Sequence, residues 1–173
     1  GRTLAVVHNA AGSSNLNFIQ AETGEPAAQF AVNLKLPDGV MRSLKWHRSD
    51  AELVYDFDWA LTPGIIRSIR AGKNQLTNWA ASDTGELDLN RISIPAMRKL
   101  RSIDRLEFDS VFYLPGKSVN GKFIPQKSAR PRPVIILFHG GPESQFRPRF
   151  MGRLNYFMSE QGCALICPNV RGP

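Results

Sequence analysis

The sequence predicts an all-β region followed by an α/β region. Three observations carry this. Strand-like stretches in the first half recur at a spacing of 48 to 49 residues. A continuous apolar run at Val134–Phe138 abandons the alternation seen earlier. A helix-spaced set, Phe150, Leu154, Phe157 and Met158, separates that run from a second one at Cys163–Cys167.

In the first region, residues 51–59 alternate strictly, with Leu53, Tyr55, Phe57 and Trp59 on one face and Glu52, Val54, Asp56 and Asp58 on the other. Period two is the mark of a half-buried strand. Arg2–His8 is a similar β-prone run. Each run is followed by a turn-rich break, Ala11–Ser14 in one copy and Thr62–Gly64 in the other, and then by a second strand candidate. The second candidates end in glycine turns at Glu22–Glu25 and Ala71–Asn74. A repeat of this length fits one four-stranded propeller blade. Trp46, Trp59 and Trp79 lie in or beside strand candidates and read as packing residues. His8 and His47 stand alone, without a second ligand at metal spacing, so no metal site is predicted.

From Met97 the pattern changes. Leu106, Phe108, Phe112 and Leu114 share one face of a strand, and Arg98–Ser102 is placed to pair with it through Ile103–Arg105 as a hairpin. A basic loop, 116–133, follows. The run Val134–Phe138 reads as a strand buried on both faces, as in parallel sheets covered by helices. The helix ends near Gly162, a C-cap glycine, and Cys163–Cys167 is the second buried strand. Strand, helix, strand is a βαβ unit, and ligands in such sheets bind beyond the carboxyl ends of the strands. Those ends carry His139-Gly140-Gly141-Pro142 and Asn169-Val170-Arg171-Gly172. Paired glycines let the backbone approach a ligand closely and aim N–H groups at it. In acyl transfer such a donor is worth roughly 3 to 4 kcal/mol. Pro142 has no N–H, which leaves Gly140 and Gly141 as donors, with the His139 side chain beside them.

Composition excludes other classes. The chain has 173 residues and 42% hydrophobic side chains, enough for a core and too apolar for a disordered tail. It contains no apolar run of about 18 residues, so no transmembrane helix is expected. The net charge of +7 invites a nucleic-acid partner, but its distribution argues against one. Residues 1–115 hold 13 basic and 13 acidic side chains, whereas 116–173 hold nine and two. Lys117, Lys122, Lys127, Arg130 and Arg132 fall in a Pro/Gly/Ser-bearing loop with a single aromatic, Phe123, which reads as a solvated surface. Cys163 and Cys167 are about 13 Å apart on an extended strand, too far for a disulfide. They read as buried thiols and leave the compartment, cytoplasmic or periplasmic, open.

Val134–Pro142 with Glu143-Ser144-Gln145, the helix, the Gly-Cys-Ala-Leu strand and Pro168-Asn169-Val170-Arg171-Gly172 together resemble the prolyl oligopeptidase family of serine peptidases. The likeness is to its acylaminoacyl-peptidase and dipeptidyl-peptidase-like branches. Gln75-Leu76-Thr77 with Trp79 resembles the close of a final blade, and Ile103-Asp104 through Tyr113-Leu114-Pro115 resembles an entry hairpin. The resemblance implies C-terminal β-propeller blades over 1–92 and the first part of an α/β-hydrolase domain, with a mostly parallel sheet, over 93–173. It implies an oxyanion loop at His139, Gly140 and Gly141, and a site wall at Asn169, Arg171 and Gly172. Relatives often carry Tyr where His139 stands. Pro173 departs from the family, which continues with Ser and Gly-Tyr-Gly. The implied parent cleaves short peptides through an acyl-enzyme and needs no cofactor; a homo-oligomeric parent is compatible with this.

A serine hydrolase needs Gly-x-Ser-x-Gly, then Asp, then His. None of Ser13, Ser14, Ser118 and Ser144 has the flanking glycines, and His139 precedes any candidate nucleophile. Gly116-Lys117-Ser118 ends like a phosphate loop, but Val111 stands where its first glycine belongs. The chain starts at Gly1, not Met, and shows no charged-then-apolar signal segment, so either a processed N-terminus or an internal piece is expected; the triad is expected beyond Pro173. The expectation is an internal piece, inactive alone, with edges left open around Ala164–Cys167 and marginal stability in isolation. Two rivals remain: a carboxylesterase or lipase of the same hydrolase fold, and a non-catalytic propeller interaction module.

Overall fold

The computed structural model describes residues 2–30, 36–49, 51–73, 75–120, 122–141 and 143–170. Strands dominate. β1 (Thr3–Ala10) and β2 (Ser13–Gln20) form a hairpin; β3 (Gly39–Trp46), β4 (Glu52–Trp59), β5 (Thr62–Arg70) and β6 (Leu76–Ala81) form a four-stranded antiparallel meander in chain order. That meander is one propeller blade. β1 and β4 begin at Thr3 and Glu52, and β2 and β5 at Ser13 and Thr62, so the sequence spacing is the offset between equivalent strands.

The alternation in β4 translates directly into packing. Leu53, Tyr55 and Phe57 are buried, and with Phe30, Met41, Ile65 and Ile69 the two aromatics build the first core. Val7, Leu16 and Phe18 of the hairpin pack onto it, with Phe18 stacked on Phe30 at 4.4 Å between ring centroids. Trp46 meets both rings edge-on. The hairpin and the blade therefore share one apolar layer. Gly39 is required by this packing, because a Cβ there would lie 2.5 Å from Phe57 Cζ and 2.7 Å from the Asp58 carbonyl oxygen.

Several expectations are corrected here. The β4–β5 turn is Ala60-Leu61, and Thr62–Gly64 already belong to β5, because a bulge between Phe57 and Trp59 advances the register. Trp79 is 64% exposed on the outermost strand, held by an Nε1–H bond to Ser68 Oγ rather than by core packing. Asn74, which closed the predicted second glycine turn, lies outside the described residues.

The second region contains β7 (Ala96–Arg101), β8 (Glu107–Tyr113), β9 (Gly116–Val119), β10 (Lys122–Pro125), β11 (Val134–Ile136), α1 (Leu154–Ser159) and β12 (Ala164–Pro168). The predicted β7–β8 hairpin is present, Ala96 opposite Phe112. The basic stretch is not an unstructured loop: β9 and β10 pair as a hairpin. A mixed sheet runs β11-β12-β8-β7, with β11 and β12 parallel and β12 antiparallel to β8. Ala164–Pro168 is thus flanked on both sides, and the edge of the parallel pair falls at β11 instead.

The second core is Val111, Tyr113, Met158, Leu165 and Cys167, with Leu137, Phe146 and Leu154 against it. In β8 the face that joins this core is the one bearing Val111 and Tyr113, against Met158 of α1, not the one bearing Leu106 and Phe108, although Ser110 on that second face is also buried. β11 likewise turns one face outward: Val134 and Ile136 are 50% and 56% exposed, and Phe138 just beyond the strand is 62% exposed, while Ile135 packs against the second core. The helix is shorter than its periodicity implied. Phe150 precedes it, and Gly162, at φ +66°, takes the left-handed conformation that follows the helix end.

Candidate active site

Parallel strands β11 and β12 deliver two chain segments to one end of the sheet. The segment after β11 runs from Leu137 to Phe150, and the one after β12 begins at Asn169. What holds the first in place is a set of polar contacts that the sequence did not announce.

Asn169 grips Phe146 by its backbone. Its Oδ1 accepts the Phe146 N–H at 2.5 Å and its Nδ2 donates to the Phe146 carbonyl at 3.1 Å. Its own N–H donates to the Asp109 carbonyl. A carboxamide has both the donor and the acceptor this needs. Asn169, predicted as a site wall, is therefore tied to the loop that carries the glycines.

Three residues further along, the Tyr113 hydroxyl donates to the Arg149 carbonyl at 3.0 Å and accepts the Arg149 N–H at 3.2 Å. Burial pushes that phenol far above its ordinary range, so it stays neutral. Asp58, at the end of β4, accepts the Phe150 N–H at 3.2 Å and the Arg42 guanidinium at 3.1 Å. Burial raises its pKa, with the Phe150 N–H, Arg42 and Arg149 acting in the opposite direction. Arg147 completes the set. Its Nε donates to the Gly12 carbonyl at 2.6 Å and an Nη to Ser14 Oγ at 3.0 Å, while Ser14 Oγ accepts the Met41 N–H. The turn it reaches, Ala11-Gly12, has positive φ at both residues, as a type I′ hairpin requires.

Segment 146–150 is therefore fastened on one side to the mixed sheet and on the other to the blade and hairpin. Gly140 and Gly141 precede this fastened segment. Both are exposed, and among the described residues nothing lies within 4 Å of a Cβ built on either. Their surroundings leave room for a ligand to reach the backbone. The His139 ring turns back toward Phe146, 5.8 Å between centroids, with Nδ1 3.0 Å from the Gly140 carbonyl oxygen. If the proton is on Nδ1, that nitrogen donates to Gly140; Nε2 is buried and has no partner among the described residues. Pro142, Arg171 and Gly172 lie outside the described residues.

Among the described residues, no three His, Cys, Asp or Glu side chains gather where a metal could bind, and no helix is long and apolar enough to cross a membrane. Both cysteines are buried and free, and burial raises Cys167 to about 12.

No model of a known protein family matches the chain. The solved structures it is similar to include a puromycin-hydrolyzing peptidase of Mycobacterium tuberculosis (TM-score 0.75, 15% identity, 96% of this chain and 24% of that one). They also include prolyl oligopeptidase B of Galerina marginata (TM-score 0.74, 14% identity, 99% of this chain and 23% of that one). Over the part of those structures that it covers, this chain shares their fold. A curated relative, dipeptidyl-peptidase 4 of Giardia intestinalis, is 30% identical over 103 residues, covering 53% of this chain. This chain spans 14% of that relative's length and about a quarter of the prolyl oligopeptidase-type structures.

The sequence reasoning missed Asp58, Tyr113, Arg147 and Arg149. Asp58 sits on the polar face of an alternating strand, and its partner Phe150 lies 92 residues further along the chain. A tyrosine at the end of β8 was visible, but its partner lies 36 residues away.

Proposed function

We propose that this chain is the junction between propeller and catalytic domain in a serine peptidase of the prolyl oligopeptidase family. Residues 1–92 supply propeller blades and 93–173 the first part of an α/β-hydrolase domain. The parent hydrolyses short peptides through an acyl-enzyme. Gly140 and Gly141 are the oxyanion donors, with His139 beside them. Asn169 fixes the loop, and Arg171 and Gly172 continue the wall. The nucleophile, its base and its acid come from sequence outside these 173 residues, since no Gly-x-Ser-x-Gly occurs within them.

The observation that supports this reading best is the open approach to Gly140 and Gly141 at the carboxyl end of β11, immediately before a segment fastened at Phe146, Arg149 and Phe150. Oxyanion stabilisation depends on donors fixed in advance, so that no reorganisation is needed as charge develops. Four contacts from both sides of the junction provide that fixity, and the propeller side contributes two of them, Asp58 to Phe150 and the Gly12–Ser14 turn to Arg147.

The test is a pair of substitutions at Gly141 in the parent enzyme. Gly141→Ala keeps the N–H and meets no neighbour among the described residues, so kcat stays within a few fold. Gly141→Pro removes the N–H and lowers kcat by about 10²–10³. Equal kcat in both variants rejects the oxyanion assignment.

A further inference from the structure

Arg42, Arg147 and Arg149 line one cavity of about 330 Å³ between the blade and the fastened loop, together with Asp58, Ser144 and Gln145. Arg42 and Arg149 act on the buried Asp58 carboxylate there, and Arg147 lies near Arg42. Arg42 is committed, to Asp58 at 3.1 Å and to Asp56 at 3.8 Å. Arg147 is not: its two bonds go to neutral oxygens, those of Gly12 and Ser14. Its other Nη has no partner among the described residues. Burial and the nearby Arg42 both lower the Arg147 pKa, as expected for a cation lacking a counter-charge. Arg149 uses its backbone to hold Tyr113, and its guanidinium has no carboxylate within ion-pair distance among the described residues.

We propose that this cavity binds a free carboxylate of the peptide substrate, held by the guanidiniums of Arg147 and Arg149. The assignment rests on the peptidase reading for the identity of the ligand. A planar guanidinium matches a carboxylate with two parallel N–H bonds, a geometry that an ammonium does not reproduce. The volume is at the small end for ligand sites, suited to one residue rather than to an extended peptide. Ser144 and Gln145, which add neutral hydrogen-bonding groups to the lining, follow Gly141 by three and four residues. The anion site and the candidate oxyanion loop therefore belong to one segment, and an acidic or C-terminal residue held here selects which peptides are presented to the glycines. Asp58 pairs with Arg42, so an incoming carboxylate meets the two arginines that have no carboxylate at ion-pair distance among the described residues rather than displacing an existing pair.

The test is calorimetric and needs no turnover. A tripeptide with a free C-terminal carboxylate, its C-terminal amide, and inorganic phosphate are each titrated into the protein in its longest natural form. The acid is expected to bind at least about tenfold more tightly than the amide, and Arg149→Gln to remove about tenfold of that affinity. Arg149→Lys is expected to recover only part of it. Arg149→Gln keeps the backbone contact with Tyr113, so an unchanged melting temperature verifies that the fold is intact. Equal binding of acid and amide, an Arg149→Gln variant with wild-type affinity, or binding of phosphate alone overturns the proposal. Each of these outcomes leaves peptide hydrolysis as a separate measurement, so failure of the carboxylate site is distinguishable from failure of the peptidase reading.

Discussion

The Asp58 carboxylate accepts the Phe150 N–H at 3.2 Å, joining the end of a blade strand to a loop 92 residues later in the chain. The same carboxylate holds Arg42. Replacing it with alanine leaves the Phe150 N–H without its acceptor and Arg42 with only the longer contact to Asp56 at 3.8 Å. Asp58→Ala is expected to cost about 1.5–3 kcal/mol in urea unfolding, and Asp58→Asn less, because the amide oxygen still accepts the Phe150 N–H. Equal losses in the two variants contradict this account of the contact.

The pH dependence has a definite sign. Burial raises Asp58 above its ordinary value of 3.8. A carboxyl raised on folding adds stability that is complete below its unfolded pKa and is lost as pH rises through the folded one. The stability of the wild type minus that of Asp58→Asn is therefore expected to fall as pH climbs above about 3.8, and then to level once the group is ionised. A difference that grows over the same interval opposes it.

Much of the architecture was legible because it depends on local pattern. The alternation at Leu53, Tyr55 and Phe57 and the 49-residue offset of β1 from β4 come from neighbouring residues. So does the strand–helix–strand order around Leu154–Ser159. Burial of β11 and the face of β8 were misread, since which face meets the second core is a tertiary fact. The glycines of the candidate site stood out, whereas its supports did not. Asp58 and Tyr113 look like ordinary polar residues until a segment far along the chain docks on them, and Arg147 does until it reaches back to Gly12 and Ser14.

Asn169 offers a sharper probe of the loop. Asn169→Asp keeps an acceptor for the Phe146 N–H but faces the Phe146 carbonyl with a second acceptor. It is expected to lose about 1–3 kcal/mol and to speed amide exchange across 143–150, as read by hydrogen-exchange mass spectrometry. Unchanged exchange there means that Asn169 does not hold the loop.

Gly39 tests the blade packing independently. A Cβ there meets Phe57 and the Asp58 carbonyl oxygen below 3 Å, and the backbone cannot yield cheaply. Gly39→Ala is expected to destabilise by about 1–3 kcal/mol in urea unfolding. A neutral substitution requires a different spacing between β3 and β4.

The buried thiols give a check without mutagenesis. With Cys167 fully buried and raised to about 12, and Cys163 8% exposed, neither is expected to react with a thiol reagent at pH 8 in the folded chain. Both react once it is denatured. Rapid labelling of Cys167 under native conditions contradicts the packing of the second core.

The most direct measurement of the central claim is fluorophosphonate labelling, read by peptide mapping, of the 173-residue chain and of its full-length natural form side by side. The account predicts no labelled serine within residues 1–173 in either protein, and one labelled serine elsewhere in the full-length form, accompanied by hydrolysis of short peptides. A labelled serine inside the 173 residues, or a full-length protein that neither labels nor cleaves, would contradict it.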